Sequence, residues 1–154
     1  MIDSIVFSPN IDWERGGKVM KKEWSKLIKE AKKVRKNAYA PHSKFKVGAA
    51  LLTKSGNIYT GCNVENSSYG LSICAERSAI CNAIANGEKE ILAIAIVADT
   101  KMPTPPCGAC RQFIQEFGKK STIILTNPKG ETKIFSQNQL LPYPFTYSML
   151  KMRK

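Results

Sequence analysis

Cys74-Ala75-Glu76 and the later Pro106-Cys107-Gly108-Ala109-Cys110 restrict this chain more than any other part of it. Three soft thiolates suit zinc. To hold one ion, two segments distant in sequence must meet at a point, so a fold for this chain has to converge there. A lone Cys-x-x-Cys pair is a weak signal. A third thiol two residues before a carboxylate, with a proline opening the later pair, is a much stronger one. Cys74, Cys107 and Cys110 as ligands leave the fourth tetrahedral position open, as a catalytic site requires and a structural one does not. Glu76, a carboxylate beside the metal and not a ligand to it, is then the natural proton carrier. Two other readings compete. A closed structural zinc site needs a fourth protein ligand, for which His42, Cys62 and Cys81 are the candidates. A thioredoxin-like redox pair at Cys107 and Cys110 leaves Cys74 without a purpose.

The remaining composition is that of one globular domain. With 154 residues and 43% hydrophobic content the chain is long and apolar enough to build a core. No apolar run reaches the length of a membrane span, and the N-terminus lacks the basic-then-apolar pattern of a secretory signal. Of the five cysteines, Cys62 and Cys81 are left over from the metal set. Read as reduced thiols, they point to a cytoplasmic protein.

The formal charge of +12 is unevenly spread. It crowds into Arg15–Lys36, where Met20, Trp24, Leu27, Ile28, Ala31 and Val34 recur at helical spacing. The plain reading is an amphipathic helix with solvated lysines. A nucleic-acid contact face is the sharper one, and membrane adhesion a third. No membrane or nucleic-acid partner is expected on this basis.

Residues 1–18 read as an irregular extension, and 19–154 as a single catalytic domain. Met20 is a candidate alternative start. A helix is expected from Val19 to Asn37, then strands over Phe45–Leu52 and Ile58–Val64 joined by the Lys54-Ser55-Gly56-Asn57 turn. Val47, Ala49 and Leu51 should share one face. After a loop from Glu65 to Ile73, a helix should open at Cys74, bury Ala79, Ile80, Ala83 and Ile84, and end at Gly87. Ile91–Ala98 reads as a central strand buried on both faces. A helix over Cys107–Phe117, strands over Thr122–Leu125 and Lys133–Ser136, and a short helix at Gln137–Leu141 complete the order. The result is an α/β fold, a three-layer sandwich around a mixed five-stranded sheet.

Cys74 and Cys107 would stand at helix N-termini, where the backbone N–H groups and macrodipole favour thiolates. Cys107 and Cys110, three apart, would face the same side. Three thiolates on one Zn²⁺ leave net negative charge, which weakens it as a Lewis acid. Arg77, one turn beyond Cys74, could offset part of that charge as a tuning residue; the alternative is a solvated helix arginine.

Three cysteines with a non-ligand glutamate form the general arrangement of the zinc-dependent nucleobase deaminases. Gly61-Cys62-Asn63-Val64-Glu65-Asn66-Ser67-Ser68-Tyr69-Gly70, followed by Cys74-Ala75-Glu76-Arg77 and Pro106-Cys107-Gly108-Ala109-Cys110-Arg111-Gln112, narrows the likeness. From about Trp24 to Phe145 the chain resembles the small homotetrameric zinc-dependent cytidine deaminases. The resemblance implies one Zn²⁺ per subunit on Cys74, Cys107 and Cys110, with Glu76 as the proton shuttle. It implies that Asn63 and Glu65 bind the ribose hydroxyl, that Phe45 packs on the pyrimidine ring, and that the Ala75 backbone holds the base. Tyr69 and Phe145 would complete a neighbouring subunit's pocket. The implied activity is hydrolysis of cytidine and 2′-deoxycytidine to uridine and 2′-deoxyuridine, releasing ammonia, in pyrimidine salvage. His42 departs from the family, whose members often carry Tyr there, and the first eighteen residues have no counterpart. The rivals are a polynucleotide deaminase, an aminoacylnucleoside-antibiotic deaminase and a zinc-stabilised binding module.

Overall fold

The computed structural model describes residues 22–151. The expectations for residues 1–18 and for Met20 lie outside that range. Helix α1 spans Lys22–Arg35, followed by strands β1 (Val47–Thr53) and β2 (Ile58–Cys62). Next come helix α2 (Ala75–Ala85), strand β3 (Ile91–Ala98) and helix α3 (Gly108–Phe117). Strands β4 (Thr122–Thr126) and β5 (Thr132–Ser136) and two short helices, α4 (Gln137–Leu140) and α5 (Tyr147–Leu150), close the order.

The five strands form one mixed sheet in the order β2-β1-β3-β4-β5. β3 and β4 are parallel, and the other neighbours are antiparallel. Since β1 opposes both β2 and β3, these two strands run the same way. The helices that follow them therefore start at the same end of the sheet, and this brings the two cysteine segments together.

Alternation along the strands separates two cores. Ala49, Leu51, Ile94, Ile96, Ile123 and Leu125 face α2 and α3 with Ala79, Ile80, Ala83 and Ile114. Ala50, Ala93, Ala95, Val97 and Ile124 face Leu27, Ile28 and Ala31 of α1 on the other side. The structure is thus the expected helix–sheet–helix sandwich. Two glycines set the layer spacing. A Cβ on Gly48 would lie 2.2 Å from the Ala31 carbonyl oxygen of α1, and one on Gly61 would lie 2.2 Å from the Ala79 nitrogen of α2. Each helix backbone therefore rests directly on a strand, with no room for a side chain between them.

Two burial expectations are corrected. Leu92 is 44% exposed although it lies within the apolar run of β3. Opposite it the register passes from Leu52↔Ala93 to Thr53↔Ile91, so Leu92 is the extra residue of a β-bulge and turns outward. Ile84 is 36% exposed, at the margin of the α2 stripe, while Ala79, Ile80 and Ala83 are fully covered. The loop expected over Glu65–Ile73 contains a 3₁₀ turn at Tyr69–Leu71. Gly87 follows α2 with φ +87°, the left-handed conformation that ends helices.

Gly61→Ala forces α2 off the sheet and moves Cys74 and Glu76 with it. The expected cost is about 1–3 kcal/mol of stability, read as a lower thermal midpoint, with loss of zinc from the purified protein.

Candidate active site

A pocket of about 660 Å³ opens at the end of the sheet where α2 and α3 begin. Val47 at the start of β1, Ile96 and Ala98 of β3, and Asn63, Val64 and Glu65 just past β2 contribute to its wall. This is the carboxyl-end crevice where open α/β sheets gather ligands.

Cys74, Ala75, Glu76 and Cys107 also line it. Cys74 is the N-cap of α2 and Cys107 the N-cap of α3, both with extended backbone, so both cysteines stand at helix N-termini, where the macrodipole favours negative charge. Cys110, one turn into α3, is fully buried. The Sγ atoms of Cys74 and Cys107 are 3.9 Å apart, and all three Sγ atoms lie within 4.8 Å of one another. Thiolates about 2.3 Å from a tetrahedral zinc stand about 3.8 Å apart, so the trio fits the ion. Among the described residues, His42, Cys62 and Cys81 do not join this cluster. The closed-site reading therefore loses its three candidate fourth ligands.

Cys74 shares hydrogen bonds with both neighbouring sulfurs and with Arg77. Its thiol is pushed down to about 5, first by the hydrogen bond it shares with Cys110 and further by Arg77 and Cys107, against the effect of burial. Cys110 moves the opposite way, because it shares that proton with Cys74 and is itself buried. Arg77 Nη2 donates to Cys74 Sγ at 3.7 Å and to the Ser72 carbonyl at 3.3 Å. The arginine is thus held against the sulfur while remaining partly exposed. Glu76 is 5% exposed. Burial, more than any other influence, raises its carboxyl above the usual range, and the Cys74 charge adds to the rise.

The mouth of the pocket is built from segments far apart in sequence. Asn63 Oδ1 accepts from the Val47 N–H, and its Nδ2 donates to the Phe45 carbonyl, each at 2.8 Å. The amide is locked by the backbone, with one Nδ2 hydrogen and one Oδ1 lone pair left for a ligand. The Glu65 carboxylate accepts from the His42 N–H at 2.8 Å, from the Ser43 N–H at 3.2 Å, and from the Ser43 hydroxyl. Those hydrogen bonds, the Ser43 hydroxyl foremost, hold it below its ordinary value and keep it an acceptor. Phe45 is 38% exposed and lines the pocket, as does Tyr69, whose ring meets His42 edge-on with centroids 5.7 Å apart.

Eight of the residues expected in one pocket thus converge: Phe45, Asn63, Glu65, Cys74, Ala75, Glu76, Cys107 and Cys110. Tyr69, expected in a neighbouring subunit's pocket, also lines the pocket of its own chain. Arg77 stands behind Cys74. Phe145 does not line this pocket; it is 57% exposed, and its carbonyl accepts from Gln112 Nε2 at 2.8 Å. Ser43, absent from the expected site, clamps Glu65. No local signal could have paired residues 22 apart.

The cytidine and deoxycytidylate deaminase zinc-binding region matches residues 21–126. The chain belongs to this family. A cytidine deaminase of Halalkalibacterium halodurans is 50% identical over 121 residues, covering 78% of this chain and 92% of the relative. One from Sporosarcina psychrophila is 52% identical over 122 residues, covering 79% and 90%. The crystal structure of a cytidine deaminase from Burkholderia pseudomallei superposes with a TM-score of 0.77 at 49% identity, covering 82% of this chain and all of that one (100%). Family membership, together with the sulfur geometry, makes zinc the metal that Cys74, Cys107 and Cys110 are positioned to hold.

Arg77→Gln removes the cation hydrogen-bonded to the Cys74 sulfur. The expected result is roughly a 10–100-fold fall in turnover with one zinc per subunit retained, measured by steady-state rate and elemental analysis on the same sample.

Proposed function

We propose that the protein hydrolyses cytidine and 2′-deoxycytidine to uridine and 2′-deoxyuridine with release of ammonia. The observation that carries this reading is the buried Glu76 carboxyl beside three convergent cysteine sulfurs, at the inner end of a pocket whose mouth offers a fixed amide and a carboxylate. The relatives named cytidine deaminase support the same substrate.

Zinc, when bound, supplies the Lewis acidity that makes water nucleophilic near neutral pH. The chain does the rest. Phe45 packs against the pyrimidine ring and the Ala75 backbone holds its edge. Asn63 and Glu65 fix the sugar hydroxyl, one through its spare donor and acceptor, the other as an ionised acceptor. This orients C4 toward the sulfur cluster. Glu76 takes a proton from the attacking water and delivers it to N3. As the new C4–O bond forms and the C4–N4 bond breaks, Glu76 passes a second proton to the departing amine. Water is consumed and ammonia leaves. A raised carboxyl suits this two-way traffic, since the group must both accept and donate near neutral pH.

We further propose that residues 19–154 act as one catalytic domain in a cytoplasmic homotetramer, in which Phe145 and Tyr69 close a neighbouring subunit's pocket. The openness of the Tyr69 rim and the exposure of Phe145 support this arrangement.

Cytidine absorbance should fall on addition of purified protein, stop after chelation, and recover with zinc. Glu76→Gln should keep its zinc and lose roughly 10²–10⁴-fold in turnover. A Glu76→Gln protein with unchanged rate refutes the proton-shuttle role. Light scattering should give about four times the 17.1 kDa chain mass, and Phe145→Ala should raise KM without loss of metal.

A further inference from the structure

Helix α1 plays no part in the pocket, yet it carries the most concentrated charge in the described chain. Lys26, Lys29 and Lys33 of α1, and Lys36 in the turn one residue past its end, are all exposed, at spacings of three and four residues. That spacing aligns them in one ridge along the outer side of the helix. From the first to the last of them the ridge is about 15 Å long, at a rise of about 1.5 Å per residue. Lys46 extends it at the α1 C-terminal end, where its Nζ reaches the Lys36 carbonyl at 3.4 Å.

The ridge is not neutralised. Among the described residues none of these four lysines forms an ion pair. Arg35 is the α1 cation that finds a carboxylate, Asp99 at 3.5 Å, and it lies off the ridge. Glu30 sits on the flank, half-buried. Four ammonium groups within about 15 Å repel one another, and an isolated solvated face gains nothing from lining them up.

We propose that this ridge docks the phosphate backbone of a nucleic-acid strand, without reading its sequence. A strand offers closely spaced negative charge along a line, and the ridge offers the complementary line. One strand of a duplex presents a charge about every 3.4 Å of axis, so a ridge of about 15 Å faces about four phosphates, one for each lysine. A lipid surface fits less well. The apolar stripe of α1 is spent on the core, with Leu27 and Ala31 fully buried and Ile28 at 8% exposure, so nothing remains to insert into a bilayer. The one aromatic residue of the helix, Trp24, is half-buried, which leaves phosphates and not bases as the points of contact. The pocket lies on the α2–α3 side of the sheet and α1 on the other. Docking therefore leaves nucleoside turnover untouched, and the strand is a partner, not a substrate.

The test uses the full chain and a fluorescent dT12 oligonucleotide in anisotropy titrations over a salt series. Two variants are compared with the parent: K26Q/K29Q/K33Q/K36Q on the ridge, and K89Q/K119Q/K120Q/K133Q, which removes the same charge from exposed lysines elsewhere. The parent should bind, with log K falling on log salt. Each phosphate neutralised on a single strand contributes a slope of about −0.7, so losing the ridge should flatten the slope by about 3. The ridge variant should also bind at least tenfold more weakly at low salt, while the control variant retains most of the affinity. Melting temperature and cytidine turnover should be unchanged in the ridge variant. No binding by the parent at low salt, or equal loss in the two variants, overturns the proposal. So does binding to phosphatidylserine vesicles without binding to dT12.

Discussion

Everything at the site depends on two helix N-termini opening at the same end of one sheet. β2 and β3 run in the same direction because β1 lies antiparallel between them. The helices that follow are α2 and α3, and their N-caps are Cys74 and Cys107. Without that shared direction the sulfurs would lie at opposite ends of the sheet and no ion could join them. Gly61 fixes the remaining degree of freedom, since the α2 backbone rests on β2 where no side chain intervenes. The position of the metal is therefore a property of strand order and layer spacing, not of the cysteine motif alone.

Electrostatics then divides the work between neighbouring groups. Concentrating anionic sulfur would weaken a zinc ion as an acid, and two helix N-termini with the Arg77 guanidinium lean against that charge. Glu76, two residues from Cys74, is raised chiefly by burial, while Glu65 at the mouth is lowered by the hydrogen bonds of Ser43 and His42. Their environments differ in the way the proposed reaction needs, which asks the inner carboxyl to exchange protons and the outer one to accept hydrogen bonds.

Strong local patterns were legible before any fold was known. Ile91–Ala98 occupies the expected strand to the residue, the hairpin turns at Ser55-Gly56, and Gly87 terminates α2. Weak local patterns were not. The Tyr69–Leu71 turn and the four-residue α5 are too short to show a period. Leu92 carries every mark of a core residue and yet faces out, because a bulge is a property of two paired strands and neither one shows it alone.

The sequence by itself determined the available chemistry: three thiols in this order suit zinc, and a carboxyl two residues from the first is a group able to carry protons, since ligand preference belongs to atom types. Tertiary structure decided what those groups feel. The burial of Glu76, the Ser43–Glu65 clamp, the locked Asn63 amide and the unpaired lysine ridge all arise from segments that meet only on folding, and solvent exclusion and charge proximity are set by that meeting.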